Sequence, residues 1–143
     1  MRDNDSLVLE SLYSGILKEP NADDVDDAIE YAEESYDVSK YGSYNFSYLG
    51  KLYASDLKKY ADLFSWMENI EDEDEMRDFR GNEWFDMIER YYEEDNIPPI
   101  IVVEGDDFVD IGDGRGRVTY ANWKNIPLDV WKIKFKSNVI KTK

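Results

Sequence analysis

Residues 97–135 constrain the fold of this chain more than any other stretch. Ile100-Ile101-Val102-Val103 is a short β-branched apolar run, the pattern of a buried strand. Glu104-Gly105-Asp106 supplies turn residues. Phe108, Val109 and Ile111 make a second short strand, stopped by Gly112-Asp113-Gly114. Val130–Phe135 alternates apolar and charged residues, the period of a half-exposed strand. Between the second and third strands lies Gly114-Arg115-Gly116-Arg117. Its glycines permit close backbone approach, and its arginines supply fixed cationic forks. If the turn opens a helix, the first helical N–H groups point at an anion. These four residues form either a candidate phosphate- or nucleotide-binding site or a strand–helix turn whose arginines pair with surface carboxylates. The following Arg117-Val-Thr-Tyr-Ala-Asn-Trp123 is β-favouring, so local sequence reads it as strand as readily as helix.

Upstream, Leu9, Leu12, Tyr13, Ile16 and Leu17 lie on one stripe and predict a first helix over Leu7–Lys18. A second helix is expected over Ala22–Tyr36, with Val25, Ala28, Ile29 and Ala32 on a thin apolar face. The rest of that helix is carboxylate: Asp23, Asp24, Asp26, Asp27, Glu30, Glu33 and Glu34. A Tyr- and Ser-rich loop then passes into a strand near Tyr44–Tyr48. Ser55 reads as the N-cap of a third helix, over Asp56–Glu68. The densest acidic run, Glu68–Asp74, reads as a solvated loop or helix end, and Glu71, Asp72, Glu73, Asp74 and Glu75 are candidate partner-binding acids. A further helix over Glu83–Glu94 carries Trp84, Phe85, Ile88, Tyr91 and Tyr92.

Charge narrows the function classes. The 143 residues hold 33 Asp/Glu and 17 Lys/Arg, a net charge of −16. Residues 111–143 hold eight Lys/Arg and two Asp/Glu, so residues 1–110 hold nine and 31. Direct nucleic-acid binding needs a cationic footprint, and most of this chain repels phosphate. Such a surface suits a basic protein partner. There is no cysteine, hence no thiolate nucleophile, and no histidine, the commonest general base. Asp106, Asp107, Asp110 and Asp113 cluster around one hairpin, but their spacing matches no calcium loop. No cofactor is expected on the main reading. No apolar run approaches the roughly 20 residues of a membrane span, so a cytoplasmic protein is expected.

The ordered set Pro99–Val103, Asp113-Gly114, Arg117, Ala121 and Leu128–Phe135 resembles the ParB/sulfiredoxin-like fold. Phe46–Leu52 resembles that family's first strand, and Phe85–Asn96 the helix before its Pro-Ile strand. The resemblance implies one compact α+β domain over residues 39–143, preceded by an acidic helical extension over residues 1–38. In ParB-like relatives the turn equivalent to Gly114–Arg117 contacts nucleotide phosphates or shapes the active centre. Here Arg115 stands where a Gly-Glu-Arg-Arg box has Glu, and Gly116 replaces a basic residue. The missing carboxylate argues against nucleotide hydrolysis. Sulfiredoxin chemistry requires a cysteine at this turn.

Two functions follow. The first is a non-catalytic acidic binding protein that engages a basic nucleic-acid-binding protein. Viral anti-restriction proteins of the DNA-mimic kind are similar in size, charge and lack of cysteine, which would place the partner in a host cytoplasm. Its contact residues would be the acids of the second helix and Glu71–Glu75. The alternative is a ParB-like nucleotide-binding or phosphotransfer enzyme, using Gly114–Arg117 with a nucleoside triphosphate and Mg²⁺.

Overall fold

The computed structural model describes residues 18–60 and 70–137. The chain is α+β. Among the described residues it runs through α1 (Ala22–Ser35), β1 (Tyr41–Leu52) and a 3-10 helix (Ala54–Tyr60). Then follow α2 (Glu73–Arg80), α3 (Asn82–Glu93), β2 (Ile100–Glu104), β3 (Val109–Asp113), α4 (Arg115–Lys124) and β4 (Leu128–Ser137). The sheet order is β1-β4-β2-β3. β1 pairs with β4 and β2 with β3 antiparallel, whereas β2 and β4 are parallel.

The β-branched run behaves as its composition requires. Ile100, Ile101, Val102 and Val103 are all at 0% exposure, because both faces of the sheet are covered. Ile101, Val103, Ile133 and Phe135 pack with Ala28 and Ala32 of α1 on one face. Ile100, Val102, Ile111, Leu128 and Val130 pack with Leu57, Tyr60, Val118 and Ala121 on the other. A third cluster, Met76, Phe85, Ile88 and Tyr120, joins α2 and α3 to the far side of α4. Helix α4 is thus buried between the sheet and the α2–α3 pair. That explains its ambiguous sequence: a helix covered on two sides carries no single apolar stripe. Tertiary packing overrides the β propensity of Val118, Thr119 and Tyr120, all of which are buried.

Helix α1 belongs to the same core. At about 100° per residue, Val25, Ala28, Ile29 and Ala32 share one side of the helix. The two alanines are fully buried, which lets the helix lie close on the sheet. Gly112 in β3 completes this approach. A Cβ there would lie 2.8 Å from Val103 Cγ1 and 3.0 Å from Ala28 Cβ. Gly112→Ala is therefore expected to lower stability by about 1–3 kcal/mol through overpacking, measurable by denaturant titration.

Several sequence expectations need correction. The third helix is a 3-10 helix over Ala54–Tyr60, and residues 61–69 lie outside the described residues. Its start is held by Asp56, whose carboxylate accepts the Tyr53 N–H at 2.9 Å, in place of a Ser55 cap. Of the two readings of the acidic run, loop or helix end, the described residues show the helix end. Asp72 caps α2, accepting the Glu75 N–H at 2.9 Å, and Glu75 accepts the Glu71 N–H at 2.7 Å. The first edge strand is longer than Tyr44–Tyr48, and the hairpin strand begins at Val109 and ends at Asp113. Of the first predicted helix, residues 7–17 lie outside the described residues, and Lys18 is in irregular chain.

Candidate functional site

The turn after β3 opens α4. Gly114 is the helix N-cap in the left-handed region, at φ 112°, and no side chain caps the helix there. A Cβ at Gly114 would also sit 2.5 Å from Ile100 Cγ2, so this position requires glycine twice over. The arginines of the turn point inward to carboxylates. Arg117 donates to Asp113 Oδ2 at 2.8 Å and to the carbonyls of Pro98 and Pro99 at 3.1 and 2.8 Å. It ties the start of α4 to the segment entering β2. Arg115 donates to Asp110 Oδ1 and, at 3.0 Å, to the Tyr31 hydroxyl.

Asp110 is the centre of a buried network. The phenols of Tyr31 and Tyr36 donate to its Oδ2 at 2.6 and 2.7 Å, and the Ile111 N–H donates to Oδ1 at 2.8 Å. Burial alone would raise the Asp110 carboxyl. The two phenols, the Ile111 amide and Arg115 outweigh it and hold the group below the ordinary range. The Tyr36 phenol is pushed up to about 12, first by burial and then by its hydrogen bond to Asp110. Its ring stacks on Phe108 at 4.2 Å. The network joins α1, β3 and α4 and fixes their relative placement.

Two clefts flank the start of α4. The first, about 320 Å³, is lined by Tyr31, Arg80, Trp84 and the Gly112–Arg117 segment. Gly116 is buried there, and a Cβ on it would meet Arg80 Nε at 2.9 Å. Arg80 lies 5.8 Å from the Trp84 ring centroid and forms no ion pair among the described residues. The second cleft, about 330 Å³, lies beside Asp24, Trp84, Met87, Tyr91, Pro98 and Arg117.

The acids of α1 are distributed differently from those of the hairpin. Asp107 pairs with Lys40 at 3.0 Å, Asp110 with Arg115, and Asp113 with Arg117. Among the described residues no group of three acids is placed to hold a metal ion. On α1, Asp23, Asp26, Asp27, Glu30, Glu33 and Glu34 are exposed, and none of them enters an ion pair among the described residues. At about 100° per residue they occupy an arc of about 120°, opposite the buried alanines. Asp24 lies about 60° outside that arc and is half-buried at the second cleft. Glu71–Glu75 are also exposed, but Asp72 and Glu75 serve the α2 cap and Glu73 pairs with Arg77 at 2.9 Å.

Tyr31, Tyr36, Arg80 and Trp84 did not emerge from the sequence as parts of one site. Tyr31 and Tyr36 are 79 and 74 residues from Asp110, and no local pattern announces such pairs. Trp84 reads only as one apolar position of α3. Comparison of the chain with protein-family models, curated proteins and solved structures finds no match.

Proposed function

We propose that this is a non-catalytic acidic binding protein whose α1 surface engages a basic, nucleic-acid-binding protein. The exposed carboxylates of α1, none in an ion pair among the described residues, carry the reading. From Asp23 to Glu34 six exposed acids span about 17 Å of helix axis, or about one per 2.8 Å. Duplex DNA carries about one charge per 1.7 Å, so a protein built to grip phosphate meets a comparable line of charge. A DNA-mimicking viral inhibitor would carry this signature. Helix stability does not account for it. Glu33 and Glu34 stand in the last turn, where no basic residue occurs and a carboxylate opposes the helix dipole. The test is affinity capture of the partner, followed by association kinetics at low and high salt. A partner whose association rate is insensitive to salt would overturn the proposal.

A second reading, an anion-binding pocket for a nucleotide, is favoured by the uncapped α4 N-terminus and Arg80 at the first cleft. Against it stand the ion pairs that already occupy Arg115 and Arg117. Calorimetry with the four ribonucleoside triphosphates and Mg²⁺ tests it. Binding heat that disappears in Arg80→Ala would support it, and no heat with any of the four would retire it.

A further inference from the structure

We infer that the cleft beside Asp24 is a receptor for one arginine or lysine side chain of the basic partner. The inference rests on the acidic-surface reading and names the point where that surface becomes a shaped site. The six outer carboxylates of α1 offer charge without walls. Asp24 differs in setting: it borders a cleft of about 330 Å³ whose sides are Trp84, Met87, Tyr91 and Pro98.

Those walls match the chemistry of a long cationic side chain. The methylene stem of Arg or Lys packs on thioether, proline and aromatic surface, while its head takes the carboxylate. Trp84 and Tyr91 add cation–π attraction, strongest for an indole. Electrostatics in the cleft agree. Arg117 lines the cleft too, but its charge is matched first by Asp113 at 2.8 Å and compensates Asp24 only in part. The Asp24 carboxylate forms no ion pair among the described residues. Burial, then the neighbouring Asp113, raises its pKa against a smaller lowering by Arg117. An arriving cation would bury the carboxylate further but offset both effects by direct charge attraction. Arg80 lines the first cleft and is not among the residues that line this one.

Asp24 is also separable from the fold. Its backbone N–H, not its carboxylate, bonds the Asn21 cap at 2.8 Å, so Asp24→Asn leaves the start of α1 intact. The experiment uses the full chain and a hexa-arginine peptide at low salt. Binding is followed by calorimetry and by tryptophan fluorescence. Asp24→Asn is expected to weaken affinity about 10-fold, and Glu33→Gln less than about 2-fold. Trp84→Phe should remove the peptide-induced fluorescence change while keeping an aromatic wall. Equal weakening by Asp24→Asn and Glu33→Gln would overturn the cleft, yet leave the acidic-surface reading standing. So would a fluorescence change that survives Trp84→Phe. Absence of hexa-arginine binding at low salt would remove both.

Discussion

Replacing Asp23, Asp26, Asp27, Glu30, Glu33 and Glu34 by their amides is expected to slow association with the basic partner about 10- to 100-fold at low ionic strength. Dissociation should change much less. Long-range attraction acts on the encounter, whereas the lifetime of a complex depends on its close contacts. The salt dependence should flatten in the same variant, because the Debye length is already about 8 Å at physiological ionic strength. The fold should persist. All six side chains are exposed, and none enters an ion pair among the described residues. Thermal stability should hold or rise slightly, since like charges are removed and Glu33 and Glu34 no longer oppose the α1 dipole. If the partner grips DNA with the same surface, duplex DNA should compete with this protein for it. Stopped-flow association at two salt concentrations decides the matter. An unchanged rate in the six-fold variant would overturn the role of α1.

The Glu71–Glu75 cluster calls for a different expectation. Asp72 and Glu75 are parts of the α2 N-terminus, so removing their oxygens costs helix stability as well as charge. Partner effects there must be read beside a melting curve. The α1 acids give the cleaner measurement.

The sheet was legible wherever a strand had one dominant pattern. Ile100–Val103 announced itself by β-branched continuity, and Val130–Phe135 by alternation. α1 was equally plain, because its apolar and acidic positions segregate at helical spacing. α4 was not, for the physical reason that it is covered from two sides and has no stripe to read. α2 was hidden under its charge, although Asp72 and Glu75 stand at the spacing of a capping pair. The glycines and arginines of the turn left two readings open, a phosphate cradle and arginines paired with carboxylates. The structure shows the pairing and names the partners: Asp113 is an (i, i+4) partner of Arg117, and Asp110 lies within reach of Arg115. The Asp24 cleft was the least legible feature. Its walls come from α1, α3 and the segment before β2, and only the tertiary fold brings them together.

Asp110→Ala should be the most destabilising substitution in the site. It removes four interactions at once: two phenols, one amide and one guanidinium. Removing one partner of a buried ion pair costs about 3–5 kcal/mol. The Arg115 side chain is 34% exposed, so water recovers part of its charge, and about 3 kcal/mol is the better expectation. For a chain of this size that lowers the melting temperature by roughly 10 °C. The pH dependence identifies the cause. Asp110 has a depressed pKa in the folded protein, so its contribution is full above the unfolded value of about 3.9. That contribution is lost as pH falls through the folded value. The gap between the parent and Asp110→Ala should therefore be widest near neutrality and narrow in acid below about pH 4. At alkaline pH a second signature should appear. Tyr36, pushed up to about 12 in the parent, should titrate closer to an ordinary phenol once its acceptor is gone, as followed by ultraviolet absorbance. A simple packing defect would produce neither change. Because Tyr31 and Tyr36 hold α1 against β3 through this one carboxylate, the loss should also loosen the placement of the acidic helix. Partner binding by Asp110→Ala should then weaken through a faster dissociation rate, the opposite kinetic signature to that of the α1 amides. A stability change below about 0.5 kcal/mol would show that the network is dispensable.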